Sequence, residues 1–198
     1  MAKPYEKYLK ETLIDADDLQ VRIQQLGAEL TADYAGTDDL LLVCILKGGV
    51  MFLTDLMRHV DVPHEIDFLS VSSYGSGARS STGKVRIDMD LKAQVTGRDV
   101  LIVEDIIDTG HTLRFVLDML QARKPKSLKL CTLLDKPERR EIDIPVDYVG
   151  FEIENKFVFG YGLDLDEKVP DADVLYLGLD EVEALFLPLQ KPEIARLG

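Results

Sequence analysis

Blocks of apolar and polar residues follow one another along this chain, and their periods predict its elements. From about Asp15, an acidic first turn followed by Leu19, Ile23, Leu26 and Leu30 predicts an amphipathic helix. The run LLLVCIL (40–46) is apolar throughout, as expected of a strand covered on both faces. The glycines of KGG end it, and VMFLTDLMRHV then places Val50, Leu53, Met57 and Val60 at helical spacing. HEIDFLSVSSY reads as a strand, GSGARSSTG as a mobile loop, and KVRIDMDL as the returning partner. DVLIVED is a further buried strand, and HTLRFVLDMLQAR is a helix with Leu113, Val116, Leu117 and Leu120 on one stripe. SLKLCTLLD, VDYVGFEI and DVLYLGL supply more strands. Strands alternating with helices predict an α/β fold, a mostly parallel twisted sheet flanked by helices on both faces. Such sheets bind ligands beyond the carboxyl ends of their strands.

Composition narrows the classes. A chain of 198 residues, 46% hydrophobic and 30% charged, suits one soluble domain with a substantial core. Its 36 acidic against 23 basic residues leave a net charge of −13. That excludes a general nucleic-acid surface, which needs a basic stripe, so any phosphate must be held at a local site. Cys44 and Cys131 each lie in an apolar run and read as small core residues, not as a disulfide or metal pair. The opening MAKPYEKYLKE is too polar for a signal peptide and no apolar run approaches a membrane span, so the expected location is cytoplasmic.

Several phosphate-binding and catalytic patterns fail. A Walker loop in GSGARSSTGKV would need glycine where Ala78 stands and Ser or Thr where Val85 stands; a dinucleotide fingerprint would need glycine at Ser80. No Ser/His/Asp set or HExxH is recognisable. The stretch VLIVEDIIDTGHTL (100–113) carries more. Glu104, Asp105 and Asp108 crowd the end of a buried strand, followed by Thr109, Gly110 and Thr112 and then the helix. A helix N-terminus offers unpaired N–H groups, and hydroxyls with a glycine let a phosphate approach the backbone. The acids beside it suit a polyhydroxylated sugar or Mg²⁺. The plainer alternative is that Asp108 or Thr109 only caps the helix while the other acids are solvated.

VLIVEDIIDTGHTL resembles the phosphoribosyl-diphosphate (PRPP) motif of type I phosphoribosyltransferases, in the form VEDIIDTG of the hypoxanthine/guanine branch. ILKGGVMF resembles the branch's diphosphate loop, SSYGSGARSSTGKV its lid, LLDKPERR its purine-contacting lysine segment, and VGFEIENKFVFGYGLD its base-binding hood. Together these motifs span roughly 40–180. The resemblance implies one phosphoribosyltransferase domain over 1–198, with a flexible lid at about 72–84. A small hood would come from about 151–185 and the N-terminal segment. It implies a purine-salvage enzyme that moves 5-phosphoribosyl from PRPP to hypoxanthine or guanine with Mg²⁺, as a homodimer or homotetramer, with no nucleic acid or membrane partner.

By the same resemblance, Asp108 lies against purine N7 as general base or hydrogen-bond partner. Glu104 and Asp105 hold the ribose hydroxyls directly or through Mg²⁺. Thr109, Gly110, His111 and Thr112 surround the 5′-phosphate, although the position of His111 varies between relatives and the residue is assigned no chemistry. Lys47, Gly48 and Gly49 grip diphosphate, and the Leu46–Lys47 peptide can be cis in relatives. Lys136 donates to the purine 6-oxo group, selecting oxopurines over adenine. Phe157 stacks on the base and Val158 meets its edge through the backbone. Asp164, grouped with the purine-binding residues, binds the second Mg²⁺ on diphosphate, while Ser73 and Tyr74 belong to the lid. Taken singly, KGG is a tight turn, Lys136 a surface lysine and Phe157 core. His59 and His64 read as surface or packing residues. The sequence departs from the branch at Pro170, where an arginine would touch diphosphate; Lys168 could partly substitute, without arginine's fork. The alternatives are a PRPP-sensing regulator that binds nucleic acid, which would need a basic surface, and a xanthine-preferring enzyme.

Overall fold

In the computed structural model, residues 9–73, 85–163 and 175–178 are described. The first is a strand, β1 (Leu9–Ile14), followed by helix α1 (Ala16–Asp33). Asp15 starts that helix by accepting from Asp18 N at 2.9 Å. Strand β2 (Leu40–Leu46), helix α2 (Val50–Leu56), and strands β3 (His64–Ser73) and β4 (Val85–Met89) come next. Then come β5 (Asp99–Ile107), α3 (His111–Ala122), β6 (Ser127–Asp135), β7 (Tyr148–Glu152), β8 (Val158–Gly160) and β9 (Leu175–Gly178).

Six strands make the main sheet in the order β4-β3-β2-β5-β6-β7, all parallel except the β3/β4 hairpin. The continuous apolar runs have the expected cause. Leu40, Leu42 and Cys44 of β2 face a cluster containing Leu19, Ile23, Leu26 and Leu30 of α1 with Phe52, Leu53 and Leu56 of α2. Leu41, Val43 and Ile45 face the opposite cluster, which contains Leu113, Val116, Leu117 and Leu120 of α3. Burying each of these Leu, Val and Ile side chains contributes about 1.5–3 kcal/mol. At the outer strand β7, Arg22 of α1 donates from Nε to Gly150 O at 3.0 Å and from Nη2 to Val149 O at 2.7 Å. Both cysteines are buried and unpaired, as their apolar settings predicted.

One expectation needs correction. The helix after KGG ends at Leu56 and tightens into a 3₁₀ turn at Met57–His59. DVLYLGL forms a strand as expected, β9, which pairs with β1 and β8 in a separate antiparallel sheet of three strands that also recruits the polar N-terminal segment. Between β6 and β7 the chain forms a 3₁₀ turn, Pro137–Arg139. The small sheet is built from the terminal segments expected to form a hood. Residues 164–174 and 179–185 of that region, like 74–84 of the lid, lie outside the described residues.

Candidate active site

Parallel register brings the site together. Ile107 pairs with Asp135, so the residues just beyond, Asp108 and Lys136, emerge side by side. Lys136 N also donates to Ile107 O at 3.0 Å. On the other side of β5, β2 ends at Leu46, and the Leu46–Lys47 peptide is cis. These strand ends border a cleft of about 1150 Å³. It is lined by Lys47, Gly48, Glu104, Asp105, Asp108, Lys136, Phe157 and Val158. Eight residues expected at the site from the sequence thus share one cavity.

Two acids at the end of β5 differ in their surroundings. Glu104 Oε2 is buried with no hydrogen-bond partner among the described residues. Burial, and then the neighbouring Asp105 charge, push its carboxyl well above the usual range. Asp105 packs on the turn after β2, where a Cβ on Gly48 would fall 1.6 Å from its Oδ2. The Gly48 carbonyl in turn lies 2.7 Å from where a Cβ on Gly162 would sit, and Gly162 has φ +91°. Three backbone segments and a carboxylate meet there at distances only glycine permits.

The helix after β5 is not capped by Asp108 or Thr109. Its N-cap is Gly110 at φ 89°, with no side-chain cap, so neither residue is spent on the helix terminus. Gly110 is held close beneath the segment after Lys136: a Cβ there would meet Ile142 O at 2.9 Å and Arg140 Cδ at 3.2 Å. Glu141 N and Ile142 N both donate to Thr109 O, at 3.0 and 3.2 Å. His111 Nε2 pairs with Glu141 at 2.8 Å. Arg140 forms an ion pair with Asp135, whose carboxyl burial raises above the usual range despite that partner.

Lys136 is only 7% exposed, which overturns its reading as a surface lysine. Phe157 is half-buried in the cleft wall, its ring centroid 6.3 Å from that of Phe159, and Val158 is buried in β8. Gly49, Ser73, Thr109, Gly110, His111 and Thr112 are not among the cleft-lining residues; Gly49 caps α2, and the last four form the turn and first residues of α3. Tyr74 and Asp164 lie outside the described residues, as do Lys168 and Pro170. The cleft also contains Ser70 and Asp88 from the β3/β4 hairpin, which no motif covers, and Ser72 and Gly162, which lie inside the lid and hood motifs but were not singled out as site residues. Arg139, which donates to Asp108, was also missed. Period-two alternation along β3 and β4 could have put Ser70, Ser72 and Asp88 on a polar face.

Among the described residues no group of three His, Cys, Asp or Glu side chains is arranged to hold a metal. Glu104 and Asp105 offer a pair with one buried, unpartnered oxygen. That fits an ion such as Mg²⁺, which takes one or two carboxylates and completes its shell with water and substrate oxygens. No helix among these residues is long and apolar enough to cross a membrane.

Known proteins share this fold. The family model for the phosphoribosyl transferase domain matches residues 15–166. The hypoxanthine phosphoribosyltransferase of Salmonella typhimurium is 50% identical over 163 residues, 82% of this chain and 91% of that protein. The bifunctional protein TilS/HprT of Listeria monocytogenes is 50% identical over 171 residues, 86% of this chain, and the chain spans only 26% of its length. The crystal structure of a Staphylococcus aureus hypoxanthine phosphoribosyltransferase superposes with a TM-score of 0.86 at 45% identity, over 92% of this chain and 98% of that one. The chain belongs to the phosphoribosyl transferase domain family and, within it, to the hypoxanthine(-guanine) phosphoribosyltransferases.

Proposed function

We propose that the chain transfers the 5-phosphoribosyl group of PRPP to hypoxanthine or guanine, giving IMP or GMP and diphosphate in purine salvage. The observation that carries this reading is the convergence of Glu104, Asp105, Asp108 and Lys136 on one cleft at the carboxyl ends of β5 and β6. A leaving diphosphate and an electron-poor ribose need an anionic, partly dry wall on one side and cations on the other. Here β5 supplies the acids, while Lys47 enters from the turn after β2. Glu104 and Asp105 would hold the ribose hydroxyls, and the Glu104 oxygen that has no partner among the described residues would gain one in the complex. The same two carboxylates would hold Mg²⁺, which would supply positive charge for the leaving diphosphate.

Thr109, Gly110 and Thr112, with the amides opening α3, would receive the 5′-phosphate. The purine lies between Phe157 and the β5/β6 rim. Asp108 takes or shares the proton at N7, and the Lys136 ammonium donates to the 6-oxo group. A buried donor at that point disfavours adenine, whose 6-amino group is itself a donor.

Asp108→Asn tests the reading. Turnover with hypoxanthine, PRPP and Mg²⁺ should fall roughly 10²–10⁴-fold, as for loss of a positioned acid–base group. PRPP binding, followed by calorimetry, should remain within a few-fold of the parent. Undiminished turnover would remove Asp108 from the chemistry.

A further inference from the structure

Asp108 does not stand alone in its loop. Arg139 Nε donates to Asp108 Oδ1 at 2.7 Å, and Arg139 Nη2 donates to Oδ2 at 3.3 Å. Two donors of one planar guanidinium therefore meet both oxygens of one carboxylate, an arrangement that fixes direction as well as distance. The side chains are 43% and 36% exposed, so solvent screens the pair and its value to folding is small. What the pair does supply is orientation.

The arginine's location matters as much as its bonds. Arg139 closes the 3₁₀ turn that begins beside Lys136, and its N–H donates to Lys136 O at 3.0 Å. The same segment is bound to the loop after β5 through Lys136 N, Glu141 N and Ile142 N and through the His111–Glu141 pair. The turn that carries Lys136 into the cleft is thus the turn that grips Asp108.

We propose that Arg139 is a positioning residue for phosphoribosyl transfer, fixing the plane of the Asp108 carboxylate so that it meets purine N7 while Lys136, on the same turn, meets the 6-oxo group. This rests on the reading of Asp108 given above. Each carboxylate oxygen carries two lone pairs, so the guanidinium grip leaves capacity for a second donor, the N7 proton. An aspartate's terminal torsion is otherwise broad, and holding it removes motion that the arriving base would have to freeze. Guanidinium and ammonium on one short turn set the two polar contacts of the base as a unit.

The test uses the full chain with PRPP, Mg²⁺ and hypoxanthine, and compares Arg139→Gln, Arg139→Lys, Asp108→Asn and the double variant Asp108→Asn/Arg139→Gln. Arg139→Gln should lower kcat roughly tenfold, the scale of losing a charge-assisted bond, and leave the KM for PRPP within about threefold. Arg139→Lys should recover part of the loss, since an ammonium holds one oxygen but lacks the fork. On the Asp108→Asn background, Arg139→Gln should change kcat by less than about twofold, because residues acting through one another are non-additive. Wild-type turnover by Arg139→Gln, or a tenfold loss that persists in the double variant, would overturn the role of Arg139 while leaving that of Asp108 in place. Undiminished turnover by Asp108→Asn alone would overturn both.

Discussion

Asp105 occupies the space that a side chain on residue 48 would need: a Cβ on Gly48 would lie 1.6 Å from Oδ2 and 2.6 Å from Cγ. The turn after β2 and the Asp105 carboxylate are therefore built against each other, and neither can move alone. Asp105 cannot simply swing away, because its Oδ1 also accepts from Ile106 N at 2.8 Å.

Gly48→Ala should therefore injure the site far more than the fold. The added methyl displaces the Asp105 carboxylate or the turn itself, in a cleft where small misplacements of reacting groups cost heavily in rate. We expect the KM for PRPP to rise at least about tenfold, with the thermal midpoint lowered by only a few degrees. Steady-state kinetics and a melting curve on the same sample check this. A variant with parental KM would mean that the close approach has no bearing on PRPP.

Lys136→Ala separates base recognition from sugar recognition. A charge-assisted hydrogen bond in a partly dry site is worth about 1.5–3 kcal/mol, so kcat/KM for hypoxanthine should fall roughly 10- to 150-fold. The KM for PRPP should change much less. Competition between hypoxanthine and adenine gives the sharper readout, since the variant should discriminate less between them. Equal losses for both substrates would contradict recognition of the base by this side chain.

A stability prediction arises at the other end of the sheet. Although burial works the other way, Asp99 accepts hydrogen bonds from Lys126, Ser127 and Thr37, each at 2.7 Å, and its carboxyl is held down at about 2. In the unfolded chain the group titrates near 3.9. The folded value is the lower one, so the stabilisation is present in full above about pH 4 and is lost as pH falls through about 2. Lys126 is 64% exposed, which discounts its share and leaves an expected contribution of about 1–2 kcal/mol at neutral pH. Urea unfolding of the parent and Asp99→Asn should show that gap at pH 7 and a narrowing gap toward pH 3. A gap independent of pH would assign the effect to packing.

How much of this was legible in the sequence depends on how local each signal is. The β5–α3 unit was legible because its apolar run, acids, glycine and helical stripe are contiguous. β8 was not, because three residues, Val158–Gly160, are too few for a period and form a strand only through pairing with β9. α2 was predicted too long because Met57 and Val60 keep the spacing although the backbone tightens after Leu56. The partnership of Arg139 with Asp108 was hidden for a different reason. In DKPERRE nearly every residue is charged, so composition cannot single out the arginine that folds back across 31 positions to reach the acid. Gly162 escaped notice because its constraint, the nearby Gly48 carbonyl, comes from a segment more than a hundred residues away.

The buried polar anchor around Asp99 joins the amino ends of β5 and β6, while the candidate active cleft borders their carboxyl ends, eight residues away along the same strands. Each strand thus has a foundation and a workbench, separated by fully buried aliphatic residues such as Val100, Leu101 and Ile102. Substitutions at one rim need not disturb the other. Substitutions in the cleft can therefore change what it holds without loosening the anchor, because the residues that line it are not the ones that secure the amino ends of the strands.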